Sequence, residues 1–240
     1  MGQVSALLDI NQQTLRRWDD EGGKLKSHRS STTSHRYYYI EDIEDFLSQN
    51  FKYLLDISNR WAFNSDTFEI PPRLYCSDRA IFKARLSKLE AAFIRENPSD
   101  DSYSLITSIV GEIGNNSFDH NLGKWPDLPG IVFGYSLSEK KIVLADRGQG
   151  ILATLSRVRE ELKEDKQAIR VAFTEIVSGR APENRGNGLK YVRKIAEDNA
   201  NIKIFFQSGQ ATVNIRSKTE HLNIGQVDSS IRGCFAIIEY

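Results

Sequence analysis

The spacing of apolar residues changes along this chain, and each change predicts a different element. Val4, Ala6, Leu7 and Leu8 predict a short helix, and Asn11 stands where a side-chain oxygen caps a second one over residues 12–21. Gly22-Gly23 ends that helix. Residues 24–39 are basic and aromatic without an acid, and an acidic helix follows over residues 41–47. Residues 51–75 carry Trp61, Phe63, Phe68 and Ile70, too apolar for a free linker, and close on Pro71-Pro72. This stretch reads as a connector packed on its neighbours.

A long amphipathic helix is predicted over residues 78–96, with Phe82, Leu86, Leu89, Ala92 and Phe93 at helical spacing. Asn97-Pro98-Ser99-Asp100 break it. The pattern then predicts a helix over 102–121, strands over 130–136 and 141–146, and helical material over 151–178 with an exposed charged stretch at 157–166. A further helix is expected over 188–199, and three strands at 202–207, 211–216 and 233–240. Helices and strands joined by short turns predict an α+β chain, a two-layer α/β sandwich behind a small N-terminal unit. The expected division is 1–50, a connector with the long helix over 51–100, and 101–240.

Composition changes this picture little. The 240 residues suit one good-sized domain plus a small one. Lys+Arg and Asp+Glu balance at 32 each, so no global field announces nucleic acid as a partner. Cys76 and Cys234 lack metal-ligand spacing and read as reduced thiols. With no apolar run of membrane-spanning length and no signal-peptide pattern, a soluble, cytoplasmic protein is expected.

Three islands carry the chemistry. On the helix over 102–121, Leu105, Ile106, Ile109, Val110 and Ile113 make an apolar face, and Glu112, Asn116 and His120 continue largely the same stripe at i+4 steps. Buried polar groups without partners are costly, so the polar half of this face calls for a partner; a magnesium–triphosphate group would serve, and so would local hydrogen bonds at a helix end. Asp146 ends an apolar strand before Gly148 and Gly150. A carboxylate there can accept from an exocyclic amine, and the glycines admit a flat base; alone, the pattern is also a common turn. Gly186-Asn187-Gly188-Leu189 precedes a periodic helix, a junction suited to anions.

In order and spacing these islands resemble the nucleotide-binding boxes of the GHKL superfamily of gyrase, heat-shock-90 chaperones, histidine kinases and MutL proteins. The resemblance covers about residues 102–240 and ends on Gly233-Cys-Phe-Ala-Ile as the expected last strand. It implies a Bergerat-type ATP-binding fold with helices on one face of a mixed sheet, and ATP and Mg²⁺ as cofactors. It makes Glu112 the general base for water and Asn116 the Mg²⁺ ligand. Asp146, with Gly148 and Gly150, would read adenine, and Arg185, Gly186, Asn187, Gly188 and Leu189 would hold phosphates beneath a lid over 151–185. Arg180 could pair with phosphate, though a solvated charge is the plainer reading; Asp119 and His120 are read as structural.

At the other end, "VSALLDINQQTLRRWDDEG" and "SHRYYYIEDIEDFL" resemble the recognition helix and wing of MerR and excisionase proteins, a winged helix-turn-helix. The resemblance implies that Thr14, Arg16 and Arg17 face the major groove of double-stranded DNA, with Arg36 and Tyr38 reaching from the wing. The first fifty residues are slightly negative overall, which favours binding as a homodimer; a winged helix used for protein contact is the alternative. The helix over 78–96 is a candidate dimer contact or a core helix. Together these features predict an ATP-hydrolysing, DNA-binding transcription regulator, a Mg-dependent ATPase. The runner-up is a protein kinase acting on a separate partner protein. None of the four histidines lies on the helix over 78–96, which argues against autophosphorylation on histidine. An adaptor that binds ATP without turnover would not need Glu112.

Overall fold

A computed structural model describes residues 2–8, 10–20, 24–31, 33–63, 70–100, 102–175, 187–216 and 222–240. The N-terminal unit contains α1 (Gly2–Leu7), α2 (Gln12–Asp20) and α3 (Ile40–Ser48). Asn11 caps α2 as expected, its Oδ1 accepting from the Thr14 amide at 2.7 Å. Between α2 and α3 the chain doubles back through an antiparallel bridge of His28 with Tyr37. Leu15, Leu25, Ile43 and Leu47 close over one another as a small core of their own.

Residues expected to be a connector form a helix, α4 (Phe51–Phe63), which follows α3 after only Gln49 and Asn50. Beyond it come β1 (Tyr75–Cys76), α5 (Arg79–Glu96), α6 (Ser102–Asn121), β2 (Ile131–Ser136) and β3 (Lys141–Asp146). Next are α7 (Gly150–Leu155), α8 (Asp165–Thr174), α9 (Gly188–Asp198), β4 (Lys203–Ile215) and β5 (Asn223–Glu239). The sheet runs β1-β2-β3-β5-β4.

Three expectations are corrected. Every pairing among the described strands is antiparallel, not mixed. Two long strands, not three short ones, close the chain. β4 runs through the expected break at residues 208–210 with a bulge at Gly209, where φ is +58°, and β5 begins at Asn223. The sandwich also has three layers where α4 lies. Ile131, Phe133, Ile142, Leu144, Ala236 and Ile238 point into the main core under α5, α6, α8 and α9. The alternate residues Val132, Val143, Ala145 and Phe235 point the other way, onto Leu54, Ile57 and Trp61 of α4. Strand residues alternate between faces, so a strand apolar at every position must be covered twice. Phe63 is exposed, and Phe68 lies outside the described residues.

The helix over 78–96 is a core helix. Asp78 caps it, accepting from the Ile81 amide at 2.9 Å, and Phe82, Leu89 and Phe93 are buried against the sheet. Part of the expected lid is core as well: Ile151, Leu155, Leu162, Ala168, Ile169 and Phe173 are all buried. Residues 176–186, with Arg180, Arg185 and Gly186, lie outside the described residues. No described helix is long and apolar enough to cross a membrane.

Candidate functional site

The core face of α6 runs through Ile106, Ile109, Ile113, Ser117 and Asn121 at nearly i+4 steps, and all five are buried. It does turn polar, but at Ser117 and Asn121. Glu112, Asn116 and His120 lie one residue to the side and are half-buried, which corrects the expected stripe. A residue offset of one is 100° of rotation, enough to move a side chain from the core to its border.

Asn116 and His120 on that border line a cavity between α6, α7, α9 and the sheet. Its walls are largely apolar, from Ile113, Ile151, Leu155, Leu189 and Phe206, with Asn116, Ser117 and Asp146 among its polar groups. A largely apolar cavity with a few convergent polar groups suits a small organic ligand.

Asp146 is the most constrained residue in it, at 3 % exposure. Ser117 Oγ donates to its Oδ2 at 2.6 Å and the Gly148 amide to its Oδ1 at 2.8 Å. The Cys234 amide also donates to the carboxyl. Burial pushes the Asp146 carboxyl above the usual carboxylate range, outweighing these three donors. A carboxylate has about four acceptor positions, so three donors leave one open. Gly233, across β5, makes the burial possible: a Cβ there would run into the Asp146 carboxylate and carbonyl.

The neighbouring loop is tightly held. Asn121 Oδ1 accepts from the Gln149 amide at 2.8 Å, and Gly150 opens α7 with φ of +78°. Ser208 Oγ accepts from the Ile151 amide at 2.9 Å. At the mouth, Gly188 begins α9 against α6; a Cβ on it would lie 2.6 Å from Glu112 Oε2 and 3.2 Å from Asn116 Nδ2. Asn187 is exposed at the N-terminal end of α9, without a side-chain cap, and Leu189 lines the cavity. The expected residues Glu112, Asn116, Asp146, Gly150, Gly188 and Leu189 thus meet at one cavity and its mouth. Arg185 and Gly186 fall outside the described residues.

Outside the cavity, Glu112 and Asn116 also line an open groove of about 2030 Å³ with Arg79, Lys83, Thr107 and Tyr191. Asn115 Oδ1 is buried there without a hydrogen-bond partner. Asp119 pairs with Arg79, tying α6 to α5, in line with a structural role. No group of three or more His, Cys, Asp or Glu among the described residues could hold a metal ion.

Sequence reasoning missed Ser117, Asn121, Ser208 and Cys234. The first two were within reach: both continue the i+4 series from Ile113. Strand pairing alone brings Cys234 to the cavity and Ser208 to the start of α7.

In the N-terminal unit, Arg16 and Arg17 are exposed on α2 and Thr14 is half-buried beside the anchor Leu15. Arg36 turns back to α2, its guanidinium 3.0 Å from Asp19 and 2.9 Å from Asp20. Asp19 also accepts from the Ser27 amide at 2.8 Å and Ser27 Oγ at 2.6 Å. Burial pushes the Asp19 carboxyl up, but Ser27 and Arg36 outweigh it and hold it below its ordinary value. Tyr38 packs on the small core with its hydroxyl buried. Its neighbours Tyr37 and Tyr39 are 42 % and 50 % exposed and form an aromatic cluster with His28. Period-two alternation carries this signal: if Tyr38 points in, Tyr37 and Tyr39 point out.

The two ends of the protein are physically joined. Ser136 Oγ donates to the Gln49 carbonyl at 2.6 Å, and Arg73 pairs with Glu44 and Asp45 of α3. Arg147, next to Asp146, is buried with its guanidinium 4.9 Å from the centre of the Trp61 ring at the end of α4.

Residues 1–38, from α1 through the bridge to Tyr38, match the family model described as MerR family regulatory protein. No curated protein matches the chain.

Proposed function

We propose that this chain is a DNA-binding regulator controlled by Mg-ATP, its N-terminal unit reading DNA and residues 101–240 forming a GHKL-type nucleotide domain of Bergerat fold. The MerR match supports the first half, because MerR-type modules are DNA-binding regulators. One observation carries the second: Asp146, buried at an apolar cavity, keeps one acceptor position open after three donors. An adenine, with an apolar ring and an exocyclic amine, matches both properties.

The fit extends to the mouth. Asn116 offers an amide oxygen beside Gly188, where α9 presents free backbone N–H groups to anions. One neutral oxygen ligand suits Mg²⁺, which keeps several waters and draws other ligands from phosphates. When bound, the ion would neutralise phosphate charge. Asn116 would orient it, Asp146 and Ser117 would orient the base, and Glu112 would accept a proton from an attacking water. Arg16 and Arg17 are the exposed cations of α2 for a DNA groove, and Lys26, Arg29, Tyr37 and Tyr39 are exposed on the wing. α4 supplies a route between the units, since it continues α3 and its Trp61 holds the loop after Asp146. Binding as a homodimer is part of this proposal.

The test is ATP binding and hydrolysis by wild type and Glu112→Ala, with and without duplex DNA. The variant should keep its affinity and lose hydrolysis by about 10²- to 10⁴-fold; equal turnover in both proteins would sink the enzyme reading. A second reading, transfer of phosphate to a partner protein, is favoured by the open groove beside Glu112, which has room for a polypeptide segment. Labelled ATP separates the two: free phosphate marks an ATPase, labelled protein a kinase.

A further inference from the structure

A second cleft, of about 1530 Å³, opens between α3 and α5 over the edge of β2. Its floor is apolar, with Leu74, Phe133, Tyr135 and Leu137, and its walls carry Arg73, Arg85, Lys88 and Arg95. At 100° per residue Arg85, Lys88, Ala92 and Arg95 fall within about 80° of one another, so α5 turns one basic stripe to the cleft. Like charges at i and i+3 weaken a helix, and the small Ala92 leaves the space between them open. Among the described residues, Asp45 is the one carboxylate on the lining, and it is paired with Arg73. Glu96 stands beyond Arg95 and acts on Tyr103 and Tyr240, while Glu90 lines the groove on the other side of α5.

The cations are unevenly satisfied. Arg85 Nη2 donates to the Pro72 carbonyl and the guanidinium leans on the buried Cys76 thiol, while its buried Nη1 meets no oxygen or nitrogen acceptor. A buried donor left unmatched is costly. Lys88 and Arg95 form no ion pair among the described residues. Arg85 and Arg95 both line the cleft and act on the Tyr135 hydroxyl, where they oppose the upward push of burial.

We infer that this cleft binds a small polyanion bearing phosphate or carboxylate groups, at a site separate from the nucleotide cavity. Arg85 and Arg95 are suited to bidentate contacts and Lys88 to a point charge. The anion would also compete with Glu44 and Asp45 for Arg73, which places it at the join between the N-terminal unit and the sheet.

Calorimetry on the full chain, with inorganic pyrophosphate and citrate as probes, tests the inference. Wild type should bind at least one probe, pyrophosphate marking a phosphate site and citrate a carboxylate site. The exposed pair Lys88→Glu/Arg95→Glu should weaken it at least tenfold while ATP affinity stays unchanged. Asp146→Asn should leave probe binding intact. The inference is overturned if neither probe binds at millimolar concentration or if the double variant binds as wild type does. It is equally overturned if the double variant loses duplex DNA affinity and no probe binding, which would make the stripe a DNA track.

Discussion

Replacing Asp146 with Asn removes a charge and one acceptor while keeping the shape of the side chain. Oδ1 receives the Gly148 amide at 2.8 Å, so the oxygen of the new amide takes that place. Its NH₂ then takes the Oδ2 place, 2.6 Å from Ser117 Oγ, and the serine hydroxyl can turn to accept. The Ser117 and Gly148 hydrogen bonds are conserved, but the position offered to the cavity changes from acceptor to donor. An adenine amine facing it loses its partner and leaves a buried donor unmatched, a cost of about 1–3 kcal/mol. That is about 5- to 150-fold in ATP affinity. A 6-oxo purine such as GTP, which presents an acceptor instead, should lose less or gain. Stability should move oppositely. Because burial raises the Asp146 carboxyl, its protonated form favours the fold fully below the unfolded value near about 4, and this benefit is lost as pH rises through the folded value. Asn does not ionise, so the melting temperature of the variant should gain on wild type as pH rises from 4 to 8. Titration calorimetry with ATP and GTP, and melts across that range, read both effects. Unchanged ATP affinity in a folded variant would refute the assignment of Asp146 to the base, and a variant progressively less stable than wild type with rising pH would refute the electrostatic argument.

Gly233→Ala pushes a methyl into the Asp146 carboxylate and backbone, so it should destabilise by about 1–3 kcal/mol or more and lower ATP affinity too, measured by denaturant melts and calorimetry. Arg16→Ala/Arg17→Ala should weaken duplex DNA binding without altering the melting temperature, and the salt slope should fall by about 0.9 for each phosphate that loses its cation. An unchanged salt dependence would move the DNA surface elsewhere. Trp61→Leu takes the ring from Arg147, and the expected result is that ATP and DNA each still bind while the effect of one on the other falls. Full coupling in this variant would remove α4 from the route.

Periodicity made most elements legible. The α6 and β3 boundaries match the expected ones because long apolar periodic runs have few alternative arrangements. The α4 segment was harder: its Trp61 and Leu54 signal burial without saying against what. The candidate site was legible in its types and order, less so in its directions. The core stripe expected to carry Glu112 and Asn116 belongs, one step along the helix, to Ile113 and Ser117. The wing shows the same error, with Arg36 and Tyr38 turned inward and Tyr37 and Tyr39 outward.

By itself, the sequence determined the helices and most of the strands, the cap at Asn11, and the residue types gathered around Asp146. These depend on neighbours a few positions away, whose spacing the chain carries directly. Only the tertiary structure decided that the sheet is antiparallel throughout, that α4 covers its second face, and that Gly233 and Cys234 close over Asp146 from 87 and 88 residues further along. It alone brought Arg147 onto Trp61 and Arg85, Lys88 and Arg95 to one cleft with Arg73. Those contacts join elements far apart in the chain. They are set by which faces remain to be buried once every element has formed, a property of the assembled layers that no local pattern records.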